Sequence, residues 1–120
     1  MFVKKPEDCL EFTAVDGCRL RELLHSKNDP VDLPYSLAAA RVEPGRHTRR
    51  HRLDRVEVYY ILEGNGRMHI DDEEQDVVQG AVVMIPPGAV QWIENTGSGD
   101  LRFLAIVNPP WSEDGDERLE

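Results

Sequence analysis

GRHTRRHRLDRVEVYYILEGNG, residues 45–66, decides the fold class of this chain. Its second half alternates: if Glu57 points inward, so do Tyr59 and Ile61, while Val58, Tyr60 and Leu62 face the other way. This is the period of a β-strand, and Gly64-Asn65-Gly66 after it is a hairpin signal. Both faces of the strand are apolar, so each needs a cover, a second sheet on one side and an arm or a second subunit on the other. The stretch therefore predicts a two-layered β structure and a homodimer.

Working outward, strand patterns recur at residues 35–42, 67–70, 75–78, 81–85, 90–94 and 101–107, separated by short turn signals such as Pro44-Gly45 and Pro86-Pro87-Gly88. Short strands at this spacing indicate an antiparallel sandwich or barrel. One helical turn is expected over residues 19–25, RLRELLH, where Leu20, Leu23 and Leu24 share a helical face. No repeat or low-complexity linker interrupts the pattern. The expected division of this single domain is an N-terminal arm with its helical turn (1–34), a barrel (35–110) and an acidic C-terminal tail (111–120).

The chain has 120 residues, 40% of them hydrophobic, with 14 Lys plus Arg against 23 Asp plus Glu, a formal charge of −9. That length suits one domain, which should bury roughly two-thirds of the surface exposed on unfolding, enough for a core without disulfide or metal staples. A metal would then serve chemistry rather than folding. The acidic balance excludes nucleic acid and anionic membranes as main partners, since both demand a basic face. No apolar run approaches the ~18 residues of a membrane span, and residues 1–6 lack the apolar stretch of a secretory signal, so the expected location is the cytoplasm. Cys9 and Cys18 sit at neither CxxC nor zinc-finger spacing and read as reduced thiols. Asp71-Asp72-Glu73-Glu74 reads as a loop tip, and residues 113–120 as a frayed, solubilising end. Residues 41–55 run against the overall charge, with six arginines (41, 46, 49, 50, 52, 55) against Glu43 and Asp54. This stretch is either a draw for a small anion or a solvated strand face paired with nearby acids.

Two spacings carry a family resemblance. Gly45, five residues, His51, one residue, Leu53, three residues, Glu57, six residues and Gly64 follow the first cupin motif; Gly80, five residues, Pro86, Pro87, Gly88, two residues, Gln91, three residues and Asn95 follow the second. The chain thus resembles the cupins, and the resemblance implies an all-β fold, a double-stranded β-helix or jelly-roll barrel with a short N-terminal arm. In that family two histidines and a glutamate of the first motif and a histidine of the second hold a divalent metal. This sequence keeps His51 and Glu57 but has Leu53 and Gln91 at the other two positions. Leucine cannot ligate, and an amide oxygen is a weak ligand for iron or zinc.

The expected metal set is therefore His51 and Glu57 with Gln91 or a recruited His47, holding Mn, Fe, Ni, Cu or Zn if a metal is held at all. Without metal, His51 beside Glu57 makes an acid/base pair, with Tyr59 on the same strand face as a proton donor, an isomerase-type arrangement known in the family. Arg49, Gln91, Met68 and Phe103 are the candidate contacts for a small polar or anionic ligand. His69 and Trp92 are expected to face away from the interior. The remaining reading is a non-catalytic barrel kept for regulation or partner contact. Fold alone does not choose among these functions.

Overall fold

The computed structural model describes residues 1–120, and eleven strands form two sheets. Ser36–Val42 (β3), Val56–Glu63 (β5), Asn65–Ile70 (β6), Glu73–Val78 (β7), Val82–Ile85 (β8), Gln91–Asn95 (β9) and Leu101–Asn108 (β10) fall on the seven strand patterns of the sequence. Phe12–Thr13 (β1), Arg19–Leu24 (β2), His51–Leu53 (β4) and Asp116–Arg118 (β11) complete the set. One sheet has the order β1-β2-β3-β10-β5-β8 and the other β11-β4-β9-β6-β7, with every pairing antiparallel. The two face each other as a jelly-roll barrel, as the sequence implies. No helix is long and apolar enough to cross a membrane.

The core fills the space between the sheets with the inward residues of each strand. Phe103, Ile61, Ile85, Ile93 and Leu101 are each at most 1% exposed, and the Tyr59 ring tilts against Phe103 with centroids 4.3 Å apart. Gly64 shows why one turn is fixed. It has φ +94°, and a Cβ there would sit 2.6 Å from the Asp100 carbonyl oxygen, so only glycine closes the β5–β6 hairpin against the loop before β10.

Two expectations are corrected. Residues 19–24 form a strand, not a helical turn. β2 pairs with β3, and a register shift between Glu22 and Leu24 makes Leu23 an extra, bulged residue. The bulge spaces Leu20, Leu23 and Leu24 as on a helix face, which is why local periodicity misleads there. The acidic C-terminal segment is not frayed. Asp116–Arg118 pairs with Leu53–His51, Trp111 N–H donates to Ser36 Oγ at 2.9 Å, and Gly115 packs on Asp54 and Arg55. Cys9 and Cys18 are free thiols, both buried.

Candidate functional site

Alternation on three strands sets what the barrel encloses. β4 buries His51 and Leu53 and leaves Arg52 between them part-exposed; β5 buries Glu57, Tyr59 and Ile61; β9 buries Gln91, Ile93 and Asn95, with Gln91 opposite His51. At one end of this interior lies a cavity of about 310 Å³. Its barrel wall includes Leu37, Ala38, His51, Leu53, Glu57, Ala105 and Val107. The N-terminal arm closes one side with Phe12, Ala14, Val15, Asp16 and Leu20, and the C-terminal segment closes another with Trp111 and Asp116.

His51 Nδ1 lies 2.9 Å from the Arg49 carbonyl oxygen. A carbonyl only accepts, so this contact assigns the proton to Nδ1 and leaves the lone pair on Nε2. Nε2 faces Asp16 Oδ2 at 3.9 Å, beyond hydrogen-bond reach. Asp16 is fixed in the turn of the arm: its Oδ1 accepts from the Cys18 backbone N–H at 3.0 Å, and its carbonyl accepts from the Arg49 N–H at 2.6 Å. The arm is thereby clipped to the segment that carries His51. Burial, reinforced by the nearby Asp16, pushes the Cys18 thiol well above its usual range, so it is no nucleophile.

Glu57 is 7% exposed, and its Oε1 has no hydrogen-bond partner. Burial pushes its carboxyl up to about 8; the neighbouring Gln91 amide, whose Nε2 is also buried and unpartnered, pulls the other way, and Asp16 and Asp116 add to the rise. The group is then mostly protonated at neutral pH and able to donate. Asp116 is raised as well, by burial first and by Asp16, against the Trp111 Nε1–H that donates to its Oδ2 at 2.9 Å and the nearby His51; its Oδ1 is buried and unpartnered.

The other anticipated residues lie elsewhere. Tyr59 is 2% exposed, its hydroxyl donates to Gln91 Oε1 at 3.1 Å, and neither side chain lines the cavity. Burial drives the Tyr59 phenol far above its usual range. Met68 and Phe103 belong to the hydrophobic core. Arg49 lines a separate polar groove of about 550 Å³ with Arg19, Arg41, Arg46 and His47, and its guanidinium donates to the Val15 carbonyl at 3.2 Å. His47 bridges to Glu94 and meets the Trp92 ring edge-on at 5.3 Å, away from the cavity. His69 stacks on Trp92 at 3.7 Å between Glu94 and Glu74, also facing away from the interior. Of the residues anticipated as ligands or contacts, the cavity thus brings together His51 and Glu57. It adds Asp16, Asp116 and Trp111. Asp16 has a turn signature in the sequence but no signal of burial, and Asp116 is hidden among the acids around it.

The donor set does not fit the metal centre that the motif resemblance implies. Leu53, 2% exposed, puts an apolar side chain where a ligand is required, and Gln91 spends its amide oxygen on the Tyr59 hydroxyl. No three His, Cys, Asp or Glu side chains converge on a point that suits an ion.

The comparisons agree with this architecture. A solved cupin 2 conserved barrel domain protein from Salinispora arenicola superposes with a TM-score of 0.78 at 19% identity, covering 95% of this chain and 91% of that one. An uncharacterized protein of Methanocaldococcus jannaschii is 42% identical over 106 residues, 88% of this chain and 84% of the relative. The oxalate-binding protein of Thermotoga maritima is 35% identical over 88 residues, 72% of this chain and 68% of the relative. The family model for the cupin domain matches residues 39–107, and with these two relatives it shows that the chain belongs to the cupin family.

Proposed function

We propose that this cupin binds a small molecule in the cavity between barrel, arm and C-terminal segment, and does so without the metal centre typical of its family. The observation that carries the reading is Glu57 Oε1, buried and unpartnered in the wall of a cavity of about 310 Å³. Buried polar groups are nearly always hydrogen-bonded, and a group left open beside a cavity of ligand size is matched by what enters it. His51 Nε2, with its lone pair free, and the mostly protonated Glu57 form an acid/base couple on one wall, the arrangement for moving a proton on a bound molecule. The Thermotoga relative is named for oxalate binding; here Asp16 and Asp116 oppose a dianion, so oxalate is the comparison ligand and not the expected one.

The test is a screen of small amines, alcohols and carboxylates, oxalate included, followed by backbone amide shifts in the presence of chelator. Binding should move the amides of Ala14, Leu37, Ala38 and Ala105 and should weaken in Glu57→Gln. Ligand-induced shifts that vanish with chelator and return with Mn²⁺ or Zn²⁺ would overturn the metal-independent reading. A screen in which nothing moves those amides would overturn the pocket itself.

We also propose that the protein is a homodimer through the outer face of the six-stranded sheet. Val58 packs there between Met84 and Ile106, and Tyr60 lies opposite Val82. Val82 and Met84 are 65% and 58% exposed, and Tyr60, Leu62 and Ile106 are exposed beside them, a contiguous apolar patch of the kind that marks an association surface.

A further inference from the structure

The charges around the cavity do not balance, and the imbalance points to a ligand class. Of the 14 lysines and arginines in the chain, one, Lys27, lines the cavity, against four acids, Asp16, Glu22, Glu57 and Asp116. Lys27 is already engaged: its Nζ lies 3.1 Å from Glu22 Oε2 and 5.2 Å from the centre of the Trp111 ring. His51 donates to the Arg49 carbonyl and turns its Nε2 toward Asp16 Oδ2 at 3.9 Å. Asp16, Glu57 and Asp116 therefore share one cavity with no lysine or arginine to pair with, and Glu57 Oε1 and Asp116 Oδ1 are buried without any partner. Elsewhere in this protein carboxylates find cations readily; Glu11, for example, meets Arg19, Arg21 and Arg41. Buried carboxyl groups crowded together without a counter-charge are costly, and a fold retains them where something positive arrives.

Resting on the reading of this cavity as a ligand pocket, we infer that its ligand is a protonated organic amine with an apolar body, the ammonium seated among Asp16, Glu57 and Asp116. An ammonium has three donors to share among three carboxyl groups, and His51 Nε2 is available as an acceptor beside Asp16. The apolar lining, Phe12, Leu37, Ala105, Val107 and Trp111, takes the body of the ligand, with Val107 across the strand pair from Glu57 and Trp111 beside Asp116. A bare metal ion does not meet the same need, because no three His, Cys, Asp or Glu side chains stand close enough to ligate one, whereas an ammonium takes its acceptors at the longer reach of a hydrogen bond. An anion would enter against the carboxylates of Asp16 and Asp116. The upward shifts of Glu57 and Asp116, to which Asp16 contributes in both, are consistent with this crowding.

Three probes of matched size separate the possibilities: phenethylamine, 2-phenylethanol and phenylacetate, titrated into the full-length protein at pH 7.5 by calorimetry and by amide chemical shift. The amine should bind at least about tenfold more tightly than the alcohol, the range of a charge-assisted contact over a neutral one, and phenylacetate should bind most weakly. Asp16→Asn and Asp116→Asn each keep the oxygen that accepts their existing hydrogen bonds. Each should weaken the amine about fivefold and leave the alcohol within about twofold. If the alcohol or phenylacetate matches or exceeds the amine at the cavity amides, the pocket stands and the cation assignment is overturned. If none of the three moves those amides, both are overturned. The comparison among probes on the unaltered protein decides the matter even where a variant folds poorly.

Discussion

Replacing Glu57 with glutamine should change how this protein responds to pH more than how it packs. The two side chains are nearly isosteric, and the carboxyl is already mostly protonated in the folded state at neutral pH, with a value near 8 against an ordinary 4.5. Between those values the folded chain holds a proton that the unfolded chain has released, so stability falls as pH rises. Below 4.5 both states are protonated and the folded protein bears no penalty; above 8 both are ionised and the penalty is complete. Each pH unit crossed in that window costs about 1.4 kcal/mol, tapering as the folded group begins to ionise, so the passage from pH 5 to 8 removes about 3 kcal/mol through Glu57. Glu57→Gln has no such proton to lose. Urea unfolding of both proteins at pH 5, 6, 7 and 8, with ligand absent, should give stability curves that meet near pH 5 and diverge by about 3 kcal/mol at pH 8, the variant being the more stable. Parallel curves across this range would refute the argument, because they would mean that Glu57 ionises in the folded protein as it does in water.

Three further outcomes follow from features of the fold. Glu11 is held down to about 2, chiefly by its hydrogen bonds from Arg41, so its contribution is present above about 4.5 and lost as pH falls toward 2; Glu11→Gln should flatten that acid limb and speed amide exchange in β1. Gly64→Ala forces a side chain into a left-handed turn and onto the Asp100 carbonyl, and should cost about 2 kcal/mol or more in chemical denaturation. Sedimentation at micromolar concentration should give a dimer, and Met84→Lys with Val82→Lys should give a folded monomer; a monomer before substitution refutes the outer-face interface.

The sequence made the barrel strands legible where alternate residues are buried, as along Val56–Glu63, Gln91–Asn95 and Leu101–Asn108; Glu73–Val78, with Val77 alone buried, is read from its turns instead. Residues 19–24 were misleading for a definable reason: a one-residue bulge imitates helical spacing, and only the pairing partner β3 reveals which period is real. His51 and Glu57 were legible through their positions relative to Gly45 and Gly64. Asp16 and Asp116 were not, since what makes them notable is burial, and burial of an acid depends on contacts with segments far away in sequence. Asp116 sits in a run whose composition describes solvated surface, yet pairing of its strand with Leu53 and His51 carries it inward. Arg49 and His47 show the converse, with chemically suggestive residues near the motif whose side chains lie outside the cavity.

The cavity is bounded by three parts of the chain, and two of them, the arm through Asp16 and the segment from Trp111 to Asp116, lie outside residues 39–107, the portion that matches the family. Ala14, Cys18 and Leu20 of the arm also pack on the core, so the segment that closes the cavity and the sheet that supports it are tied together, and a change at the rim reaches the barrel through them.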